Sequence, residues 1–384
     1  MTIPADPHPQ SQPSMAPARL QAHSRVRRLV ASAGAVSLLV LVTFLTWPSP
    51  IDAAAWNAPD SPSFARGVWA QNNALAGAEP VTTVPRYPEW VTFDRQGNLY
   101  TGDVDGKIYR VTFADGRPAH TDLYADTGGA PNGMEFNQSG DLIVTDIRKG
   151  LLSVDSQGQV SRLADQADGT PIALANELDI ARDGTIYFSD TSAYGRVTVR
   201  ELLEGRPHGR LLSYDPKTKQ TKVLLDHLYF ANGVALTPDE DAVLVVESYR
   251  YDVVRYWLRG PKAGTHDVFA ANFPGFPDNI SRDAQGHYWI ALFTDRVAFL
   301  DAAHHTPFLA DTLAKLPDGI LSNAPSKHGV ITELDGNGQV LRTLQDPNGK
   351  LFGLTTAVVH DGYVYLGTAP GGSHGVYRVK VLPA

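Results

Sequence analysis

The chain has 384 residues, a net charge of −8 and a pI near 5.8, an acidic balance that argues against a nucleic-acid-binding surface. Cysteine is absent, which excludes disulfides, zinc thiolates and a cysteine nucleophile. The 34 glycines and 27 prolines suit a turn-rich all-β domain, and the length leaves room for such a domain of about 300 residues plus an N-terminal appendage.

Residues 1–28 are polar and Pro-rich at the start and read as a disordered cytoplasmic tail. Arg25, Arg27 and Arg28 then precede the uncharged run Leu29 to Trp47. As a helix that run is about 28 Å long, enough to cross a bilayer. The basic residues on its N-terminal side predict that this end stays in the cytoplasm and that the rest faces the periplasm or cell exterior. A signal peptide cleaved near Ala53-Ala-Ala55 is the rival reading, but the apolar run is long for one. Residues 48–78 show no strong periodicity and read as a tether.

From residue 79 to 384 one pattern recurs six times: a short apolar strand, a turn with Gly or Pro, and a β-branched strand. Its starts fall near residues 89, 132, 176, 232, 278 and 353. Tyr229-Phe-Ala-Asn-Gly-Val-Ala-Leu-Thr-Pro-Asp-Glu-Asp-Ala-Val-Leu-Val-Val-Glu247 is the clearest copy. A third strand follows, often opened by Gly, as at Gly106, Gly150, Gly209 and Gly375. A period of roughly 40–50 residues with four strands per unit predicts a six-bladed β-propeller. The last copy ends too early for its own fourth strand. The stretch Pro80 to Val84 is therefore expected to close the ring beside Tyr377 to Val381. Two connections are long: Thr191 to His208, carrying Tyr194 and read as a lid, and Asp301 to Lys327, read as loop with a short helix near Thr312 to Leu316.

The hairpin geometry puts the first residue of each inner strand and the last of each second strand at one face, near the axis. The first set is Glu89, Asn132, Asn176, Asn232, and Asp278 with Asn279; the second is Asp103, Asp146, Asp190, Glu247 and Thr368. Carboxylate and amide oxygens converging on one point suit a hard cation such as Ca²⁺. Asn-Gly at 132 and 232 also fits a plain turn, and a strand-end Asp is often only solvated. The recurrence of a polar residue at one offset favours the metal reading. Weaker signals read as structural. Gly371-Gly-Ser-His-Gly375 mimics a nucleophile elbow but is followed by a strand. Asp335-Gly-Asn-Gly lacks the later Glu of an EF-hand, and His304-His305 reads as solvated.

Phe230-Ala-Asn-Gly-Val-Ala-Leu, Arg255-Tyr-Trp-Leu-Arg-Gly-Pro-Lys-Ala-Gly-Thr265 and Phe273-Pro-Gly-Phe-Pro-Asp-Asn-Ile resemble the strictosidine synthase-like family, on the branch of the adipocyte plasma membrane-associated proteins. That family sits in the wider superfamily of gluconolactonase, regucalcin and serum paraoxonase propellers. The resemblance implies an axial calcium held by Glu89, Asn176, Asn232, Asp278 and Asn279, the positions matching the paraoxonase ligands. Asn132 stands where paraoxonases carry a His, and is assigned to substrate binding together with Tyr194. Leu354 to Val359 holds no acid where plant strictosidine synthase uses a Glu, which argues against amine–aldehyde condensation. The expected activity is calcium-dependent hydrolysis of lactones or small aryl esters, with Asp278 and then His374 as candidate bases. The alternative is a non-catalytic binding propeller with structural calcium.

Overall fold

The computed structural model describes residues 16–321 and 325–381, with side chains from 27 on. Two compact units divide it, Met1–Pro50 and Ile51–Ala384. In the first, a helix spans Ala16–Thr46, so residues 16–28 are helical and not a disordered tail; residues 1–15 of that expected tail lie outside the described residues. Arg27–Thr46 has a mean hydropathy of 2.3 and no buried residue, so it is long and apolar enough to span a bilayer.

The second unit is a six-bladed propeller of six four-stranded antiparallel sheets. The inner strands of blades one to six are Val91–Phe93, Pro131–Phe136, Ala175–Ile180, Ala231–Leu236, Gly275–Arg282 and Leu354–His360. Blade six closes as expected: Glu79–Thr82 is its outermost strand, in register Glu79↔Arg378 and Pro80↔Tyr377. Arg378 pairs with Glu79 at 2.7 Å across that seam.

Period-two alternation builds the ring. In the second strand of blade four, Val243 and Val245 pack with blade three, while Leu244 and Val246 pack with blade five. Ile143 likewise faces blade three, and its neighbours Leu142 and Val144 face blade one. Each of the six junctions thus holds one apolar cluster, and no blade can bury its two faces without both neighbours. The Asp-x-x-Gly turns are fixed by their own carboxylates. Asp94 Oδ1 accepts from Gln96 and Asn98 N–H, and Gly97 takes φ 79°. Asp335 serves Asn337 and Gln339 in the same way, so it is a turn, not a calcium loop.

Three further expectations need correction. The segment read as a tether is docked from Ile51 on. Ala54 and Trp56 N–H donate to Glu204 and His304 carbonyls at 2.8 and 3.0 Å. Asn72 bonds the Thr343 carbonyl and the Gln345 N–H, and Leu75 is fully buried against blades five and six. This belt covers the outer strand Val340–Asp346, an edge that would otherwise be open to pairing. The second correction concerns the long connections, which form a helical cap. It comprises Val199–Glu204, Ala298–His304, Pro307–Ala314 and Asp318–Leu321, around buried Leu203, Ala303, Ala310 and Ala314. Thr198 caps the first helix by accepting from Glu201 N–H, and Gly205 ends it at φ 62°. His304 is not solvated: it is 1% exposed, and its Nε2 lies 2.6 Å from the Leu202 carbonyl.

Candidate functional site

The polar residues at the inner-strand starts share a backbone device. Pairing with the second strand slips between Pro131 and Met134, Ala175 and Leu178, Ala231 and Val234, and Pro277 and Ile280. Three inner-strand steps there face two on the partner strand, which is a β-bulge. Asn132, Asn176, Asn232 and the pair Asp278-Asn279 are the residues inside those bulges. Bulging releases them from the ladder and re-aims their side chains. The glycines after Asn132 and Asn232 make no turn. A Cβ on Gly233 would lie 2.4 Å from Ile280 N, and one on Gly133 2.6 Å from the Glu177 carboxylate. Asn-Gly here means close approach of neighbouring inner strands.

Asn232 Nδ2 donates to Asp278 Oδ1 at 2.6 Å and to Ser248 Oγ at 3.1 Å, and Ser248 in turn donates to the Pro277 carbonyl. Burial, and then the charge of Glu89, push the Asp278 carboxyl well above the usual carboxylate range, against the Asn232 hydrogen bond. Burial likewise raises Glu89 to about 7, with the Asn132 amide opposing. Glu89 is held from blade six, where Thr355 Oγ1 donates to its carbonyl at 2.8 Å. Sequence reasoning missed Thr355, Ser248 and a third acid, Glu177, which shares the blade-three bulge with Asn176. Glu177 is fully buried; burial, and then the charges of Glu135 and Glu89, push it up.

Asn176 Oδ1, Asn232 Oδ1 and both polar atoms of Asn279 are buried without a hydrogen-bond partner. Unpaired buried amides cost about 1–3 kcal/mol each, so three at one place call for a partner. Neutral amide oxygens beside acids whose charged form burial disfavours fit a hard divalent cation, which would contact the amide oxygens and supply the countercharge.

The second set of strand-end acids does not join this ring. Asp146 accepts from Thr127 Oγ1, Ala130 N–H and Arg148 N–H. Asp190 accepts from Ala173 and Leu174 N–H and pairs with Arg210. Asp103 takes the Asp105 and Lys107 amides, and Glu247 the Tyr229 amide. A carboxylate beside a tight turn is satisfied locally before it can reach the axis.

Tyr194 is committed to the cap, its hydroxyl donating to Glu204 at 2.7 Å and its ring against His208. His374 is exposed and lies edge-on to Tyr87 at 6.1 Å. Ser373 bonds the Lys350 carbonyl and the Phe352 amide, so the elbow-like motif is a loop staple. Asp283, His287 and Glu333 also cluster, past the far end of the blade-five inner strand. Their valences are filled internally. Asp283 accepts from Gln285, His287 and Trp289, while Glu333 pairs with His287 and Arg342. Deeper along the axis, residues three further on each inner strand, among them Glu135, Asp179 and Arg282, line a cavity of about 220 Å³.

Known propellers share this frame. A gluconolactonase from Xanthomonas campestris superposes with a TM-score of 0.58 at 17% identity, covering 88% of this chain and 99% of that one. A calcium-binding regucalcin from Agrobacterium tumefaciens gives 0.57 at 13% identity, covering 78% and 92%. In sequence, residues 176–261 match the strictosidine synthase family and residues 67–111 the N-terminal region of strictosidine synthase-like proteins. Strictosidine synthase-like 7 of Arabidopsis thaliana is 33% identical over 87% of this chain and 89% of its own length. The adipocyte plasma membrane-associated protein of Bos taurus is 34% identical over 86% and 88%. With this identity spread over the whole propeller, the chain belongs to the strictosidine synthase-like family.

Proposed function

We propose that this protein is a calcium-dependent hydrolase of lactones or small aryl esters. The observation that carries the reading is the set of buried, unpartnered amide oxygens on Asn176, Asn232 and Asn279, gathered beside Glu89 and Asp278. These five residues would hold Ca²⁺. When bound, the ion supplies Lewis acidity to an ester carbonyl and countercharge to the developing oxyanion. Asn132 Nδ2, buried beside the Glu89 carboxylate, is the donor that would orient a substrate oxygen. Asp278 is the first candidate to take the proton from the attacking water, and His374 the second. Tyr194, on the cap, would contact the substrate's distal part. The family names and the gluconolactonase-like fold support the propeller frame for this chemistry.

The N-terminal apolar helix is assigned as a single-pass membrane anchor, with Arg25, Arg27 and Arg28 on the cytoplasmic side and the propeller in the periplasm or outside.

The test is turnover of an aryl-ester and lactone panel by the detergent-solubilised full chain, with Ca²⁺ and then with chelator. Turnover lost in chelator and restored by Ca²⁺ supports the reading. A melting temperature raised by Ca²⁺ without turnover on any substrate replaces it by a binding propeller with structural calcium.

A further inference from the structure

We propose that the helical cap is a membrane-contact surface that seats on a lipid bilayer; this rests on the anchor reading above. Past Pro50, the exposed aromatic side chains among the described residues are Tyr194, Phe299 and Phe308, at 48, 55 and 62%. All three lie in the cap. Val197 and Ile320, at 68 and 64%, lie there too. Single exposed apolar residues are ordinary, but bulky ones gathered on one small cluster mark an interaction face. The inward sides of these helices are already used. Ala303, Ala310 and Ala314 are buried against Leu203, which leaves Phe299 and Phe308 no intramolecular partner for most of their surface.

Chain length selects the occupant. The apolar helix ends at Thr46, and Ile51 already packs on the Leu203–Ala303 cluster. Five residue steps span at most about 18 Å. The next residues are fastened to the same cap: Asp52 pairs with Arg206 at 2.7 Å, Ala53 N–H donates to Asp311, and Ala54 N–H to the Glu204 carbonyl. A bilayer holding the helix is therefore within about 18 Å of the point where Ile51 meets the cap. Aromatic and aliphatic side chains favour the headgroup boundary. Of the cap arginines, Arg200 and Arg206 pair with Asp318 and Asp52, and Arg196, beside Val197, is exposed.

The absence of cysteine allows a direct test on the full chain in phosphatidylcholine vesicles. Phe299→Cys and Phe308→Cys each carry one environment-sensitive fluorophore. Val42→Cys reports the anchor, and Asn337→Cys the opposite face of blade five. Brominated-chain lipid is expected to remove most of the emission at 299 and 308, as at 42, and to leave 337 unchanged. Emission at 299 and 308 that follows 337 overturns the proposal, whatever 42 does. An unquenched 42 overturns the anchor reading instead. A pair of Phe→Glu changes at 299 and 308 is expected to abolish quenching of a label at 320 while the melting temperature stays in place.

Discussion

Asp278→Asn separates the cation reading from a merely polar core. In the folded chain Asp278 is 7% exposed, receives a 2.6 Å hydrogen bond from Asn232, and feels the charge of Glu89. Asn keeps an acceptor for Asn232 but removes the charge. Without metal the variant is expected to be as stable as wild type or more so, because a buried carboxyl beside another acid is a cost. With Ca²⁺ the order reverses. A ligand at 100 times its dissociation constant stabilises the folded state by about 2.7 kcal/mol. At about 2 °C per kcal/mol for a large domain, wild type should gain about 5 °C. Asp278→Asn removes one of two ring charges, which costs about 2–5 kcal/mol of binding, so its gain at the same Ca²⁺ should fall to about 2 °C or less. Thermal unfolding in chelator and in Ca²⁺ reads both effects. An equal Ca²⁺ shift in variant and wild type refutes the placement of the ion at Asp278.

Other perturbations probe the frame. Gly233→Ala puts a methyl 2.4 Å from Ile280 N and should cost about 3 kcal/mol or more by overpacking, read as a lower urea midpoint and a weaker Ca²⁺ response. Leu75→Ala should cost about 2–5 kcal/mol, since the belt residue is fully buried; a surface-sized loss would mean the belt is not docked in solution. Asp252 sits directly opposite Glu247 in the blade-four ladder, and burial, then that charge, raise its carboxyl to about 8. A folded-state value above the unfolded one of about 3.9 means stability is lost as pH climbs between the two. Asp252→Asn should therefore gain on wild type steadily from pH 4 to 8 in urea titrations, and a pH-independent difference would contradict the assignment.

The ring was legible because its cause is periodic. Six copies of one hairpin can be counted, and the missing fourth strand of the last copy foretold the closure by Glu79–Thr82. Asn132, Asn176, Asn232 and Asp278 were visible for the same reason: they recur at one offset. What stayed hidden has no period. A bulge is a slip between two strands, and nothing in Asn-Gly tells a slip from a turn until the neighbouring strand at Ile280 is in place. The second-strand acids were misread because strand ends look alike in sequence. Only the geometry shows that Asp146 and Asp190 are consumed by amides a few residues away. The belt lacked periodicity because it packs through isolated anchors, Trp56, Asn72 and Leu75, and not through a face.

The bulges explain why one fold can hold so many polar groups at its centre. In a regular ladder the inner strands would aim alternate side chains at the two neighbouring blades, as Val243 and Leu244 do in the next strand out. Apolar clusters would then occupy every direction. One extra residue per blade takes a polar pair out of that alternation without disturbing the strand beyond it, where Val234, Ile280 and Met134 return to the core. The cost is a set of backbone and side-chain groups without ladder partners. Four blades bear that cost at matching strand positions, and in three of them the orphaned atom is an amide oxygen. A cost repeated around a closed ring is offset most directly by one central species that meets the orphaned amide oxygens together, which is why removing a single charge at Asp278 is expected to remove most of the response to calcium.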